Sequence, residues 1–353
     1  MPAVSTPPAA LEALVVAAFG PGAFIVEAMP GGASTRRYFR ITHGTEPRVQ
    51  RAVAMFVPEG GKAEEIDKAG PLHRWPFLEV RDLLEGHGVD VPRLYGEDTA
   101  AGWLLLEDLG DETLANVLLR QPALREPLYR RAVRDLARAQ ATLEALPEGC
   151  VVQHRAFDED LLYWELLHFR EWGVEARGRA FCEAEGRRFD AIARRLAARI
   201  AGWPRAFTHR DYQSRNLMVR GAQGDDPSLV WIDFQDALRG PRAYDLVALL
   251  NDSYQTFTPA FVEARLDDYA EARGLTAAER AELGREFELV TVQRKLKDAG
   301  RFVYIDRVKG NASFLKFVLP TLEKARAALE RLAPVEPDMA DLLGLLERAR
   351  VVE

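Results

Sequence analysis

The densest run of chemistry-bearing side chains is His209-Arg210-Asp211-Tyr212-Gln213-Ser214-Arg215-Asn216, followed after an apolar stretch by Asp233-Phe234-Gln235-Asp236. Phosphoryl transfer from ATP needs a carboxylate that orients the attacking hydroxyl and accepts its proton. It also needs hard oxygen ligands that hold Mg²⁺ against the phosphates. Asp211 suits the first role, and Asn216 with Asp233 suits the second. Taken singly, each of these residues is as readily a turn cap. The combination, set between apolar segments, points to a nucleotide-dependent phosphotransferase with His209 and Arg210 shaping the catalytic loop.

The spacing His-Arg-Asp-x-x-x-x-Asn with a second Asp downstream is the catalytic-loop and metal-Asp pattern of the kinase superfamily. Upstream, Gly31, Gly32 and Ser34 form a small-residue loop whose N–H groups can approach phosphates, or an ordinary hairpin turn. Arg36, Arg37 and Arg40 follow. Glu107-Asp108-Leu109-Gly110 reads either as an extended hinge offering the backbone of Glu107 and Leu109 to adenine, or as a plain linker. The kinase pattern also puts a Lys on the third strand, paired with a Glu on the next helix. The stretch 51–57 contains no Lys, and Met55 takes its place. Arg36, Arg37 or Lys62 is expected to supply the charge, with Glu79 as the candidate helix acid.

These residues need a scaffold. Strand-like segments fall at 23–28, 35–42 and 50–57, after a short helix at 11–19. A helix at 77–88 and strands at 93–95 and 103–106 follow. From residue 113 onward helical spacing dominates, with helices predicted over 113–120, 124–145, 157–172, 178–201, 242–252, 258–272 and 276–301. Short strands at 206–208, 217–219 and 229–232 interrupt them and carry the catalytic loop. The expected fold class is α+β, with a β-rich N-lobe over 1–108 and a helical C-lobe over 109–353. The acceptor pocket is expected beside Asp211, on the aromatic and acidic helix 157–172. There Leu161, Glu165, His168 and Trp172 share a face, as they equally would in a core helix with a charged rim.

The segments Gly-Gly-Ala-Ser-Thr-Arg-Arg-Tyr-Phe-Arg (31–40), Leu-Leu-Leu-Glu-Asp-Leu-Gly-Asp (104–111), 209–218 and 232–246, with Gln293-Arg294-Lys295-Leu296-Lys297, resemble the aminoglycoside phosphotransferase-like kinases. Within that family they are most similar to the N-acetylmuramate/N-acetylglucosamine anomeric kinases of cell-wall recycling. The resemblance implies a bilobal protein-kinase-like fold clasping ATP and Mg²⁺. It also implies transfer of the γ-phosphate to the C1 hydroxyl of an N-acetylated amino sugar. By the same resemblance Asp211 is the catalytic base, Asn216 and Asp233 are Mg²⁺ ligands, Asp245 braces the catalytic loop, and Gln213 stands where protein kinases carry a Lys. Asp-Phe-Gln replaces the usual Asp-Phe-Gly and leaves the metal carboxylate intact. Glu165 is the candidate ligand for acceptor hydroxyls. The lactyl carboxylate of N-acetylmuramate calls for a cation, for which Arg170, Arg294 and Arg242 are candidates.

Composition closes off other classes. The chain of 353 residues has 47 Lys and Arg against 54 Asp and Glu, a formal charge of −7, without the basic excess of a general nucleic-acid binder. A long activation segment ending in Ala-Pro-Glu is absent, which favours a small-molecule acceptor over a peptide. So is a G-x-x-x-x-G-K-[ST] loop. The longest uncharged apolar stretch, 13–26, is broken by Gly20-Pro21-Gly22 and is too short to span a bilayer. The first 35 residues carry no Lys or Arg, and Cys150 and Cys182 form no metal or disulfide pattern. A cytoplasmic location is therefore expected. Two readings stand beside the sugar kinase: a kinase for another acceptor, such as an aminoglycoside or choline, and a kinase-like binding module without turnover.

Overall fold

The computed structural model describes residues 8–30, 35–45, 49–58, 74–222, 224 and 227–351. The chain forms two compact units, Met1–Pro122 with Arg215–Asp233, and Ala123–Ser214 with Phe234–Glu353. The α+β class is as expected, with an antiparallel sheet in the first unit and mostly helices in the second.

In the first unit, β1 (Phe24–Ala28), β2 (Arg37–His43), β3 (Gln50–Phe56), β4 (Leu94–Asp98) and β5 (Trp103–Glu107) make one antiparallel sheet in the order β1-β2-β3-β5-β4. Successive side chains of a strand point to opposite faces, so the run Trp-Leu-Leu-Leu in β5 feeds two cores. Trp103 and Leu105 pack with Leu11 and Val15 of α1 (Ala9–Phe19). Leu104 and Leu106 pack with Leu78 of α2 (Pro76–Gly86) and with Met55 of β3. The helix α3 (Leu114–Arg120) starts at Thr113, whose hydroxyl accepts the N–H of Asn116.

A separate ribbon of β7 (Leu217–Arg220) and β8 (Ser228–Trp231) belongs to this unit. The N–H of Val219 donates to the Glu112 carbonyl at 2.7 Å, and Thr113 bridges Met218. These bonds extend the sheet unit past the Glu107–Asp111 stretch where the composition of the sequence shifts.

The second unit holds α4 (Arg125–Thr142), α5 (Glu159–His168), α6 (Glu183–Ala201), α7 (Ala243–Leu250), α8 (Pro259–Arg273) and the 33-residue α9 (Ala277–Lys309). The helix predicted over 157–172 is not uniform. It begins as α5, capped by the Asp158 side chain on the Leu161 N–H, and then widens into a π-helical turn over Phe169–Val174. Gly178 takes φ 73°, so the next helix starts at Glu183 rather than 178. Gly300 of α9 meets the π turn so closely that a Cβ there would lie 2.8 Å from the Phe169 Cα.

Three elements lie outside the sequence expectation. One is β9 (Leu238–Pro241), which pairs antiparallel with β6 (Arg205–Thr208). The others are α10 (Val318–Leu332) and α11 (Pro337–Arg348), beyond the point where the predicted helices stop. No helix among the described residues is long and apolar enough to cross a membrane.

Candidate active site

In the second unit the segment 209–214 leaves β6 and is anchored at each step. Arg210 has φ 79°, a left-handed conformation that costs a residue with a side chain about 1–3 kcal/mol. Asp245, fully buried near the start of α7, holds it there. Its two carboxylate oxygens accept the N–H of His209 at 2.6 Å and of Arg210 at 3.0 Å. Burial pushes the Asp245 carboxyl up to about 7, against the downward pull of those two bonds and of Arg294. Further along, the Tyr212 hydroxyl donates to the Ala132 carbonyl at 2.9 Å. Asp252 accepts the Ser214 N–H at 3.2 Å and its hydroxyl at 2.5 Å. Lys324 of α10 in turn donates to the carbonyls of Asp252 and Gln255.

Asp211 has 38% of its side chain accessible. Arg294 of α9 lies beneath it, 3% accessible, donating from Nη1 to the Arg210 carbonyl at 2.8 Å and from Nη2 to Asp211 Oδ1 at 3.4 Å. Its guanidinium sits 4.6 Å from the centre of the Tyr244 ring. Partial burial pushes the Asp211 carboxyl up, but Arg294, Lys297 and Arg210 outweigh it and hold the group below the ordinary aspartate value. Asp211 is therefore an anion at neutral pH. That state orients a hydroxyl well and takes up a proton weakly, which suits a loose transition state that asks for little proton transfer before the phosphoryl group moves.

Glu165 of α5 is 1% exposed. Its Oε2 accepts the Gln293 amide at 2.7 Å, and its Oε1 lies 4.0 Å from Arg210 Nη2. Glu165 Oε1 and Gln293 Oε1 accept no hydrogen bond among the described residues. Farther along the same seam, Trp164 stacks on His168, and His168 and Trp172 both meet Tyr304 of α9.

In the first unit, the register of the β7–β8 ribbon brings the two expected metal ligands to one end. Leu217 pairs with Trp231, and the Ile232 N–H donates to the Asn216 carbonyl at 3.0 Å. Asn216 and Asp233 thus project from adjacent strand ends, Asp233 at φ 63°, in a conformation Asp tolerates better than most residues. Arg36, just before β2, places Nη1 3.8 Å from Asp233 Oδ1. Met55 is fully buried in the apolar core on the α2 face. Arg40 is tied to the hinge segment, to Asp108 at 2.9 Å and to Asp111 at 2.9 Å.

The sequence profile of the phosphotransferase enzyme family, APH, matches residues 25–283. The chain belongs to that phosphotransferase family. An N-acetylmuramate/N-acetylglucosamine kinase of Pseudomonas aeruginosa is 32% identical over 326 residues, 89% of this chain and 85% of that protein. Its namesake from Neisseria meningitidis serogroup B is 31% identical over 322 residues, 89% of this chain and 88% of that one. Choline kinase LicA from Streptococcus pneumoniae superposes with a TM-score of 0.56 at 18% identity, over 87% of this chain and 93% of that one. The ADP-bound aminoglycoside phosphotransferase APH(2'')-Ib gives 0.56 at 14%, over 90% and 98%. These likenesses make the fold protein-kinase-like, and membership makes the chain a kinase that phosphorylates a hydroxyl and uses ATP as the family does.

Asp211, His209, Arg210 and Asp245 come together in the second unit, joined by Glu165 and Arg294, while Asn216, Asp233 and Arg36 come together in the first. Gln213 lies in the same loop, its N–H on the Asp211 carbonyl at 2.9 Å. Arg294 donates to the Arg210 carbonyl and faces Asp211. Arg170 faces α6, where Asp190 accepts two bonds from it at 2.8 and 2.9 Å and Glu175 a third at 3.0 Å. Arg242 is bound twice by Glu286.

In the segment 107–110, the Glu107 N–H already donates to the Arg93 carbonyl and its carboxylate receives Arg220, whereas the Leu109 backbone makes no hydrogen bond among the described residues. Arg37 is exposed at the start of β2. Gly31, Gly32, Ser34 and Lys62 lie outside the described residues. Tyr212, Asp252, Gln293 and Lys297 were missed as site residues. Gln293 and Lys297 fall inside a quoted motif, one helical turn apart, and that spacing was the available signal.

Proposed function

We propose that the chain is an ATP- and Mg²⁺-dependent amino-sugar kinase that phosphorylates the anomeric C1 hydroxyl of N-acetylmuramate or N-acetylglucosamine. The product would be a sugar 1-phosphate returned to cell-wall precursor synthesis. The observation that carries the reading is the pair of buried oxygens, Glu165 Oε1 and Gln293 Oε1, without donors and in the same cluster as Asp211. A polyhydroxylated acceptor supplies those donors, and leaving such acceptors unmade in a bound complex costs about 1–3 kcal/mol each. Trp164, 44% exposed on the same helix as Glu165 and stacked on His168, offers a flat apolar face to sugar C–H groups. The names of the relatives from P. aeruginosa and N. meningitidis support the same acceptor class.

In this reading Asp211 orients the acceptor hydroxyl and receives its proton as the bond to the γ-phosphate forms. Asp245 and Arg294 hold the loop and keep Asp211 ionised. Asn216 and Asp233, an amide oxygen and a carboxylate at one ribbon end, fit a hard cation that shares phosphate oxygens. When bound, Mg²⁺ supplies charge neutralisation on those phosphates. Arg36 takes the part of the missing third-strand Lys, and the Leu109 backbone is the hinge group for adenine.

The test is turnover with Mg²⁺ and ATP against N-acetylmuramate, N-acetylglucosamine, glucose, an aminoglycoside, choline and no acceptor, read by ³¹P NMR. A sugar 1-phosphate formed only from the N-acetyl sugars is the expected result. A phosphoester of another acceptor would move the chain to a different small-molecule kinase, and nucleotide binding without turnover would make it a binding module.

A further inference from the structure

An acceptor that carries a carboxylate requires a cation within reach of Asp211; of the three arginines suggested by the sequence, two are held by other acids and the third, Arg294, is paired with Asp211 itself. Arg170 is held by Asp190 and Glu175, Arg242 by Glu286, and Arg294 by Arg210 and Asp211. The cations whose charge acts on Asp211 include Arg294, Lys297 and Arg210. Their side chains differ in access: 3% for Arg294, 8% for Arg210 and 17% for Lys297.

Lys297 lies one turn beyond Gln293 on α9, and residues four apart on a helix share a face. It therefore stands on the face whose preceding turn binds Glu165. Its ammonium meets Asp298 at 3.2 Å, but that carboxylate is shared with Lys295 at 2.8 Å and Arg294 at 3.8 Å. That carboxylate is shared among three cations, so it holds Lys297 less exclusively than Asp190 holds Arg170 or Glu286 holds Arg242. The anions Asp298 and Glu165 and the Tyr244 phenol keep Lys297 protonated despite burial that favours the neutral amine.

We infer that Lys297 is the specificity residue that recognises a carboxylate substituent on the acceptor, so that the enzyme separates N-acetylmuramate from N-acetylglucosamine through this one ammonium. The inference rests on the amino-sugar reading and deepens it by naming the group that reads the lactyl arm.

A substrate–enzyme cycle tests it. Wild-type, Lys297→Met and Lys297→Arg enzymes are assayed at pH 7 with N-acetylmuramate, its methyl ester and N-acetylglucosamine. In the wild type, esterification should lower kcat/KM about ten- to hundredfold, the cost of losing a charge-assisted hydrogen bond. In Lys297→Met the ester and the free acid should be used within about twofold of each other, with the preference for N-acetylmuramate over N-acetylglucosamine reduced by the same factor. Lys297→Arg should restore most of that preference. An ester effect of equal size in wild type and Lys297→Met, or none in the wild type, overturns the inference while leaving the amino-sugar assignment standing. A wild-type enzyme inert on both sugars overturns the assignment and this inference with it, a result read before any variant is made.

Discussion

Arg294 does three things from one buried position: it accepts the Tyr244 ring on one face, fixes the strained Arg210 peptide through its carbonyl, and faces the Asp211 carboxylate. A Lys cannot reproduce this, because a point charge lacks the planar fork that reaches two oxygens at once. The sign of the electrostatics follows directly. A cation beside a carboxylate favours the ionised form, so removing it moves the Asp211 titration upward toward and past the ordinary value of about 3.9. In the wild type the acidic limb of kcat/KM that reports Asp211 should lie below about 4. Arg294→Gln should shift that limb to higher pH and lower the plateau about a hundredfold or more, within the range for a displaced general base. A pH–rate profile measured from pH 3 upward checks it. An unmoved limb would mean that Arg294 serves packing alone.

The crossing of α9 over the π-helical turn sets where Glu165 and His168 stand relative to Gln293. Gly300 permits it, since a Cβ would meet both the Phe169 Cα at 2.8 Å and the His168 carbonyl at 3.2 Å, backbone atoms that cannot rotate away. Gly300→Ala should destabilise the protein by about 1–3 kcal/mol, the usual cost of overpacking. It should also raise the acceptor KM more than the ATP KM, because the displaced helix carries Glu165. Urea titration and steady-state kinetics together test this, and equal changes in both KM values would refute it.

Elements like these explain what was legible beforehand. The sheet strands were visible as short β-type segments, β5 as a continuous apolar run, and the loop 209–216 as a fixed spacing of reactive types. The strand Leu238–Pro241 was not, because it contains Gly and Pro and owes its existence to pairing with β6, where Gly240 lets Phe157 and Thr208 approach. The π turn, the reach of α9 to Lys309 and the Lys324–Asp252 bond are likewise tertiary in origin. Asp252 braces the loop from a position that no local pattern marks.

At the scale of the molecule, the first unit carries the expected nucleotide ligands and the second the expected acceptor machinery, so binding and chemistry should be separable by mutation. Asp233 is 45% exposed at its side chain, and Asn also tolerates its φ of 63°. Asp233→Asn should therefore melt like the wild type without ligand. With MgATP at 100 times its Kd the wild type should gain about 2.7 kcal/mol, and the variant should lose the Mg²⁺-dependent part of that gain. Thermal denaturation with ATP plus Mg²⁺ and with ATP plus EDTA measures the difference, and an undiminished Mg²⁺ increment in the variant would remove Asp233 from the metal site.

The first unit is also discontinuous in the chain, closed only when the 215–233 ribbon joins residues 1–122. On the ribosome this delays the N-terminal unit, which cannot close when its first 122 residues have emerged. The strand system made earliest waits, without the ribbon that bonds the Glu112 carbonyl and bridges Thr113, until the whole of 123–214 has been translated and the ribbon emerges. A premature stop anywhere before Asp233 leaves neither unit whole.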